Sequence, residues 1–344
     1  PIPPILKRFL TTETKWNLRD MNVSPDYKVS MDTFNSYYQK IQGPKTNLDG
    51  IIAVDTHFLE SLIKIIGPVD VPGYGTFSAQ NDPRCDCAQI LYALSEIVDR
   101  PTPFLRTNRK GILGPLMSSV LSKTYSVPKN LWPAMFQTVW GDVQGKHIQF
   151  YFFDPKLQAA AEGIDVAGRV LPTQQGSDYY FQVDANLGGA KSNFFVQSQV
   201  QHEIALPTNG VLTHTVTVSY KNPFKASVCN LEAGQLCLNS VLQDWIRFYL
   251  PQGAKLTNSQ GFDEGSVTSS DDLGHSVVEG TFRLQPLSQA KLVLTYTIPY
   301  TNQKEYTVQL QKQGGTDDIK NIFTVNNLDH EVILNKDQTV TFGW

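Results

Sequence analysis

Residues 49–71, DGIIAVDTHFLESLIKIIGPVDV, decide how the first half of this chain is read. Ile51 to Val54 is an apolar run of strand length. Phe58, Leu59, Leu62, Ile65 and Ile66 then recur at helical spacing, which places them on one face. Gly67-Pro68 stops that helix, and Val69 to Val71 begins another strand. The order strand, amphipathic helix, strand predicts an α/β unit. Every residue of its first strand is apolar, so that strand is expected to be covered on both faces.

Upstream, Ser30 to Phe34 with Tyr37, Tyr38 and Ile41 predicts a helix ending at Gly43-Pro44. Downstream, helical periodicity appears over 86–98, 109–123, 129–140 and 155–162, with an aromatic strand over 147–153. Pro115 conflicts with a helix that starts at Asn108, so the helix starts near Gly114 or is kinked there. From Tyr179 the pattern changes to alternation, as in THTVTVSYKN, KLVLTYTIPY and EYTVQLQKQ. Thr, Val and Tyr enrichment with Gly, Asn and Pro punctuation predicts an antiparallel, Ig-like β-sandwich. Pro207-Thr208-Asn209-Gly210 reads as a turn between two of its strands. The boundary is placed near 195, giving an α/β domain over 1–194 and a sandwich over 195–344. The segment YYFQVDANLGG (179–189) is assigned to the end of the first domain.

The bulk properties agree with two domains, since 344 residues exceed one ordinary core. A net charge of −3 offers no basic field for nucleic acid. No stretch approaches the ~20 apolar residues of a membrane-spanning helix. No Lys/Arg cluster lies on an amphipathic helix, so a membrane surface is not favoured. The chain begins Pro1-Ile2-Pro3-Pro4 without an initiator Met. Membrane contact is therefore expected only through an anchor lost ahead of Pro1.

Cys229 and Cys237 flank NLEAGQL and are expected to close a small loop as a disulfide, which suits an oxidising compartment. Cys85 and Cys87 are harder to bridge across one residue, and their state is left open. Zinc needs four well-spaced ligands, and no such set appears.

The blocks DGIIAVDTHFLESLIKIIGPVDV, RTNRKGILGPLMSSVLSK, HIQFYFFDPKLQAAAEGIDVAG, DANLGGAKSN and YTVQLQKQGGT occur in that order. In that combination the chain resembles the bacterial family called domain of unknown function 4012 over nearly its whole length. That resemblance implies an extracytoplasmic, membrane-anchored cell-envelope protein linked to surface polysaccharide. The first half is also similar, more distantly, to the LytR-CpsA-Psr phosphotransferases. Those enzymes move a glycan from a polyprenyl-diphosphate carrier to the cell wall. Gly67-Pro68-Val69 stands where that family has a Gly-Gly-Val step, and Arg106-Thr107-Asn108-Arg109-Lys110 where it has Arg-x-x-Arg-Gln. The resemblance implies that Arg106 and Arg109 grip a lipid diphosphate. The family's N-terminal strand and its Arg/Asp-bearing loop have no counterpart in this sequence.

Arg106, Arg109 and Lys110 put three cations within five residues near an expected helix start. Such a group can hold a diphosphate through charge-assisted bonds, or it is a solvated basic turn. Asp20 and Asp26, in RDMNVSPDY, are candidates to hold Mg²⁺ beside a phosphate, against turn and cap roles. Asp55 reads as a helix cap. Asn186 to Ser192 offers a Gly pair and Lys191 for an anion nest, or a tight interdomain turn. His202 and His214 could face each other across a hairpin and read as a surface strand pair. No GxSxG motif occurs.

Two functions follow. The first is handling or transfer of a polyprenyl-diphosphate-linked surface glycopolymer, with Arg106 and Arg109 on the diphosphate and Mg²⁺ neutralising charge. The second is a non-catalytic envelope scaffold that binds a cell-wall polysaccharide or protein partners.

Overall fold

Three local signals start the helices of the first half. Asp26, Asp55 and Asp154 each accept a bond from an amide of the following turn, satisfying donors that a helix start leaves free. These caps open α-helices at Tyr27, Thr56 and Pro155. The computed structural model describes residues 1–11, 13–43, 46–99, 111–188, 190–228, 238–302 and 304–344. The first part runs α1 (Pro4–Phe9), α2 (Tyr27–Tyr38), β1 (Gly50–Val54), α3 (Thr56–Ile66), β2 (Val69–Val71), β3 (Gly75–Phe77), β4 (Asn81–Asp82) and β5 (Cys87–Ala88). It continues with α4 (Gln89–Asp99), α5 (Leu113–Tyr125), α6 (Trp132–Gln144), β6 (Ile148–Phe152) and α7 (Pro155–Gly163). Pro115 falls in the first turn of α5, where its missing N–H leaves no gap in the ladder.

Leu62 and Ile66 of the α3 stripe pack as its spacing predicts, while Ile63, outside that stripe, is buried with them and Ile65 is only partly buried. Leu62, Ile63 and Ile66 are buried with Val69, Val71, Ile90, Leu116 and Val120 in one apolar cluster. Gly67, at φ +77°, then ends the helix in a conformation that side chains resist. The strand pairing departs from expectation. β1 pairs antiparallel with β6, and β2 pairs with β3, so β1 and β2 do not share a sheet. β1 is covered on one face only, because Ile52 and Val54 are exposed in a two-stranded ribbon.

The second part runs β7 (Asp178–Asn186), β8 (Gln197–Thr208), β9 (Val211–Asn222), β10 (Leu242–Leu250), β11 (Lys255–Gln260) and β12 (Thr268–Asp272). It ends with β13 (His275–Leu284), β14 (Ser288–Pro299), β15 (Glu305–Gln311), β16 (Ile319–Val325), β17 (Leu328–Leu334) and β18 (Gln338–Gly343). Among the described residues these form two six-stranded sheets, β12-β13-β10-β7-β15-β18 and β11-β14-β9-β8-β16-β17. Side chains of both sheets meet in a core that includes Ile246, Phe248, Leu292, Leu294, Val308 and Phe323. Each fully buried side chain of that size contributes roughly 2 kcal/mol from removal of apolar surface. Asn209 and Gly210, at φ +53° and +75°, form the turn between β8 and β9. Paired left-handed residues match the twist of the two strands they join.

Two particulars differ from the sequence reading. The sandwich is not wholly antiparallel, since β15 runs parallel to β7 and β16 parallel to β8. YYFQVDANLGG, assigned above to the first domain, supplies β7, which lies between β10 and β15. The boundary near 195 thus falls after a strand of the sandwich. The run reads as generic because both its faces are covered. Tyr180 joins the sandwich core, while Tyr179, Phe181 and Val183 pack outward under Val170 and Leu171.

Cys85 and Cys87 are joined as a disulfide, with Cα atoms 5.2 Å apart. Asp86 between them adopts φ +53°, which curls the chain enough to bring the two together. Cys229 and Cys237 lie outside the described residues.

Candidate functional site

The two parts meet along a cleft of about 810 Å³. One wall comes from the start of α3 and the β4–β5 turn, the other from β7, β9, β10 and the loop that follows β15. The chain places carboxylates on both walls.

On the first wall, Asp55 does two things at once. One oxygen caps α3 through the Phe58 amide at 3.0 Å, and the other meets His147 Nδ1 at 2.6 Å. Burial pushes its pKa up, but the bonds from His147 and the Phe58 amide outweigh that and hold it below the usual carboxylate value. His57, two residues on, stacks on the His147 ring at 3.9 Å between centroids. Its Nε2 lies 3.6 Å from Asp142 Oδ1. Asp142 is buried, its pKa is raised by burial, and its Oδ2 has no partner. Two imidazoles thus stack face to face, each beside its own carboxylate. Ser61 donates to Asp142 at 3.4 Å rather than to an imidazole, so it is not set up as an activated nucleophile.

On the second wall, Asp184 of β7 and Asp244 of β10 sit diagonally on neighbouring strands, since Asp184 is opposite Ile246 and Asp244 opposite Asn186. Their side chains interact. Tyr220 donates to Asp184 Oδ1, and Gln182 Nε2 donates to Asp184 Oδ2 at 2.7 Å. Asp244 is almost fully buried and its Oδ2 has no partner. Burial, then the charge of Asp184, raises Asp244 well above the usual carboxylate range, and burial raises Asp184 as well. Two close carboxyls, one of them buried, do not both ionise cheaply, so each resists losing its proton more than a free carboxyl does.

The loop after β15 closes the cleft with Asp317 and Asp318. Buried Lys312 holds that loop, donating to Gly145 O at 3.0 Å and Thr316 O at 2.5 Å. Burial lowers the Lys312 pKa, and the charges of Asp318, Asp317 and Asp55 oppose that. Gly315 turns at φ +76° beside Asp55. The cleft is therefore lined by Asp55, Glu60, Asp86, Asp184, Asp244, Asp317 and Asp318, against Lys64 and His57. Such a surface accepts hydrogen bonds from hydroxyls or attracts cations, and it repels a diphosphate.

The residues singled out from sequence fall elsewhere. Arg106, Arg109 and Lys110 lie outside the described residues. Asp26 is buried, caps α2 through Val29, and accepts from Arg169 Nε at 2.8 Å and the Val170 amide at 3.1 Å. Its lone pairs already meet N–H groups, which leaves it a cap and ion-pair role rather than that of a magnesium ligand. Asp20 lies 3.6 Å from Arg19 and lines a second cavity of about 600 Å³. Among the described residues no group of three or more His, Cys, Asp or Glu is placed to hold a metal ion. Ser192, at the end of the proposed anion nest, is buried and donates to Ser240 O at 2.8 Å, as a tight turn requires.

His202 and His214 do face each other across β8 and β9, but at the centre of the sandwich, not on its surface. Both are fully buried, with His202 Nδ1 2.9 Å from His214 Nε2. The chain continues from His202 Nε2 to Asn321 Oδ1 at 2.9 Å and from His214 Nδ1 to Asp178 Oδ2 at 2.8 Å. Asn321 donates its amide to Ile319 O, so its oxygen must face His202. His202 Nε2 then donates to Asn321, and the line of bonds continues through His214 to Asp178. Tyr296 and Tyr306 donate to Asp178 as well. Alternation hid this chain, because a polar residue facing in and one facing out look alike until the register is known.

The sequence reading missed Asp184, Asp244, His57, His147 and Asp142. A signal for two of them was present: an acid within the apolar runs YYFQVDA and DWIRFYL is unusual for a strand covered on both faces.

No curated protein matches the chain. Among solved structures, a "putative nutrient binding protein" from Legionella pneumophila overlaps 43% of this chain and 54% of its own, at 9% identity and a TM-score of 0.24. An M1 zinc metallopeptidase from Deinococcus radiodurans overlaps 42% of this chain and 37% of its own, at 10% identity and a TM-score of 0.17. The chain thus spans about half or less of either protein, and neither likeness is close enough to carry an argument. Residues 3–83 match the profile of the family described as "Protein of unknown function (DUF4012)", and over that span this chain is similar to that family.

Proposed function

We propose that this chain is an extracytoplasmic envelope protein that handles a surface glycopolymer by binding its hydroxyl-rich chain, without transferring it. The observation that carries this is the acidic cleft. Carboxylates on two walls, the close Asp184 and Asp244 pair, and the exposed face of His57 suit hydroxyl recognition. Sugar hydroxyls donate to carboxylates, and a protonated carboxyl can donate in return. The Cys85–Cys87 bridge supports an oxidising, extracytoplasmic location. The Ig-like description of the sandwich belongs to this proposal. Its two facing sheets support it, and its two parallel pairs are additions to an antiparallel scheme.

The test is calorimetric titration with cell-wall oligosaccharides. Binding that Asp184→Asn combined with Asp244→Asn weakens about tenfold, a loss of about 1.4 kcal/mol, supports the reading. Binding of a polyprenyl diphosphate with Mg²⁺ that is lost in Arg106→Ala combined with Arg109→Ala, with no oligosaccharide binding, replaces it by the transferase reading.

A further inference from the structure

The cavity of about 600 Å³ that Asp20 lines is a second site, apart from the acidic cleft. Phe9 and Leu10 at the end of α1 line it, with Val23 and Pro25 from the chain ahead of α2. From the sandwich come Trp245 and Arg247 of β10. Arg247 stands opposite Val183, on the face of the sheet turned away from the sandwich core. Alternation puts Asp244, three positions earlier, on the other face. Pockets for small molecules usually measure about 300–1,000 Å³ and set a few polar groups among apolar walls.

Arg247 is the group in this cavity that the fold leaves unsatisfied. It is 7% exposed. Its Nη1 donates to Val23 O at 3.0 Å, and the guanidinium carbon lies 4.0 Å from the centre of the Trp245 ring. Its Nε has no partner. Among the described residues it joins no ion pair. Burial works against its charge, while Tyr249, Glu279 and Asp272 favour it. Both of those acids are engaged by other donors, since Trp245 Nε1 meets Glu279 at 3.1 Å and the Tyr249 hydroxyl meets Asp272 at 2.8 Å. A buried cation without an ion pair is unfavourable, and arginine does not shed its proton to escape. Arg19 lines the cavity too, but it is exposed and paired with Glu13 at 2.8 Å.

We propose that this cavity binds a small monocarboxylate with an apolar body, its carboxylate on Arg247 and its body against Trp245, Phe9 and Leu10. The planar fork of arginine matches the two oxygens of a carboxylate, and Nε is a donor left for one of them. Phosphate is the rival anion and fits less well. Asp20, whose Oδ2 also lacks a partner, and Asp184 lie on the same walls and repel a second negative charge.

The experiment is calorimetric titration of the whole chain with octanoate, beside octyl phosphate and the neutral octanamide. The proposal expects octanoate to bind about tenfold more tightly than either. Arg247→Met, which keeps an apolar stem, should lose that preference, and Arg247→Lys, which keeps the charge without the fork, should fall between. Octanoate binding no tighter than octanamide overturns the proposal. So does tighter binding of octyl phosphate, or octanoate binding undiminished in Arg247→Met. The comparison of octanoate with octanamide needs no variant, so it decides the matter even where Arg247→Met does not fold. Failure of the oligosaccharide titration leaves this result untouched, because Arg247 does not line the cleft.

Discussion

The sandwich interior and the cleft use the same side chains to opposite ends. In the sandwich, Asp178, His214, His202 and Asn321 form a closed line, and each polar atom named has a partner. At the cleft, Asp55, His147, His57 and Asp142 form two pairs that stop short. His57 remains open to solvent, and Asp142 and Asp244 each keep an oxygen without a partner. A closed buried chain rigidifies and specifies a core. A chain left open next to a cavity has bonding capacity for something else. Residue type alone does not separate the two; completeness of the hydrogen bonds does.

The largest test of this contrast is Asp178→Ala. It strands His214, Tyr296 and Tyr306 in a dry core, and urea unfolding should show a loss of about 3–5 kcal/mol. A loss under about 1 kcal/mol would mean that water reaches this core and the contrast is void. Asp55→Ala removes the α3 cap and the His147 partner, yet its site is open to water. The same measurement should give about 1–3 kcal/mol.

Next comes pH. Burial, then the charge of His214, holds His202 well below its ordinary value of 6.5. Its folded pKa is depressed, so its contribution is present above the unfolded value and is lost as pH falls below it. Stability should drop by about 1.4 kcal/mol per pH unit for this group as pH falls below about 6.5, and His202→Gln should flatten that slope. Asp244 has the opposite sign. Its raised pKa stabilises only while the proton is held, and that contribution fades as pH rises through the folded value. Asp244→Asn needs no titratable proton, so at pH 8 it should raise the unfolding free energy by about 1 kcal/mol. Unchanged or lowered stability would mean that the pair does not retain its proton.

The smallest effect sharpens the comparison from outside both regions. Met117→Glu combined with Phe136→Glu should shift stability by no more than about 0.5 kcal/mol, because neither side chain enters a core. Calorimetric melting checks this.

Elements were legible where a periodic pattern met a cap or a stop. The α3 stripe, Asp55, Gly67 and the Asn209-Gly210 turn lie where the spacing puts them. The strands β11 and β12 were not, since KLTNSQ and TSSDD are edge strands with little apolar alternation. The cleft was not legible at all. Asp55 and Asp244 stand 189 positions apart, and nothing local marks them as neighbours of one cavity.

By itself the sequence determined the local elements and the change from helical to alternating pattern. These depend on spacing along the chain, and spacing is what a sequence records. Tertiary structure decided which strands pair, that β7 joins the sandwich, that two histidines are sealed inside it, and that carboxylates from both halves share a cleft. Those outcomes rest on contacts between distant residues, whose desolvation and bonding exist only once the sheets have closed over them.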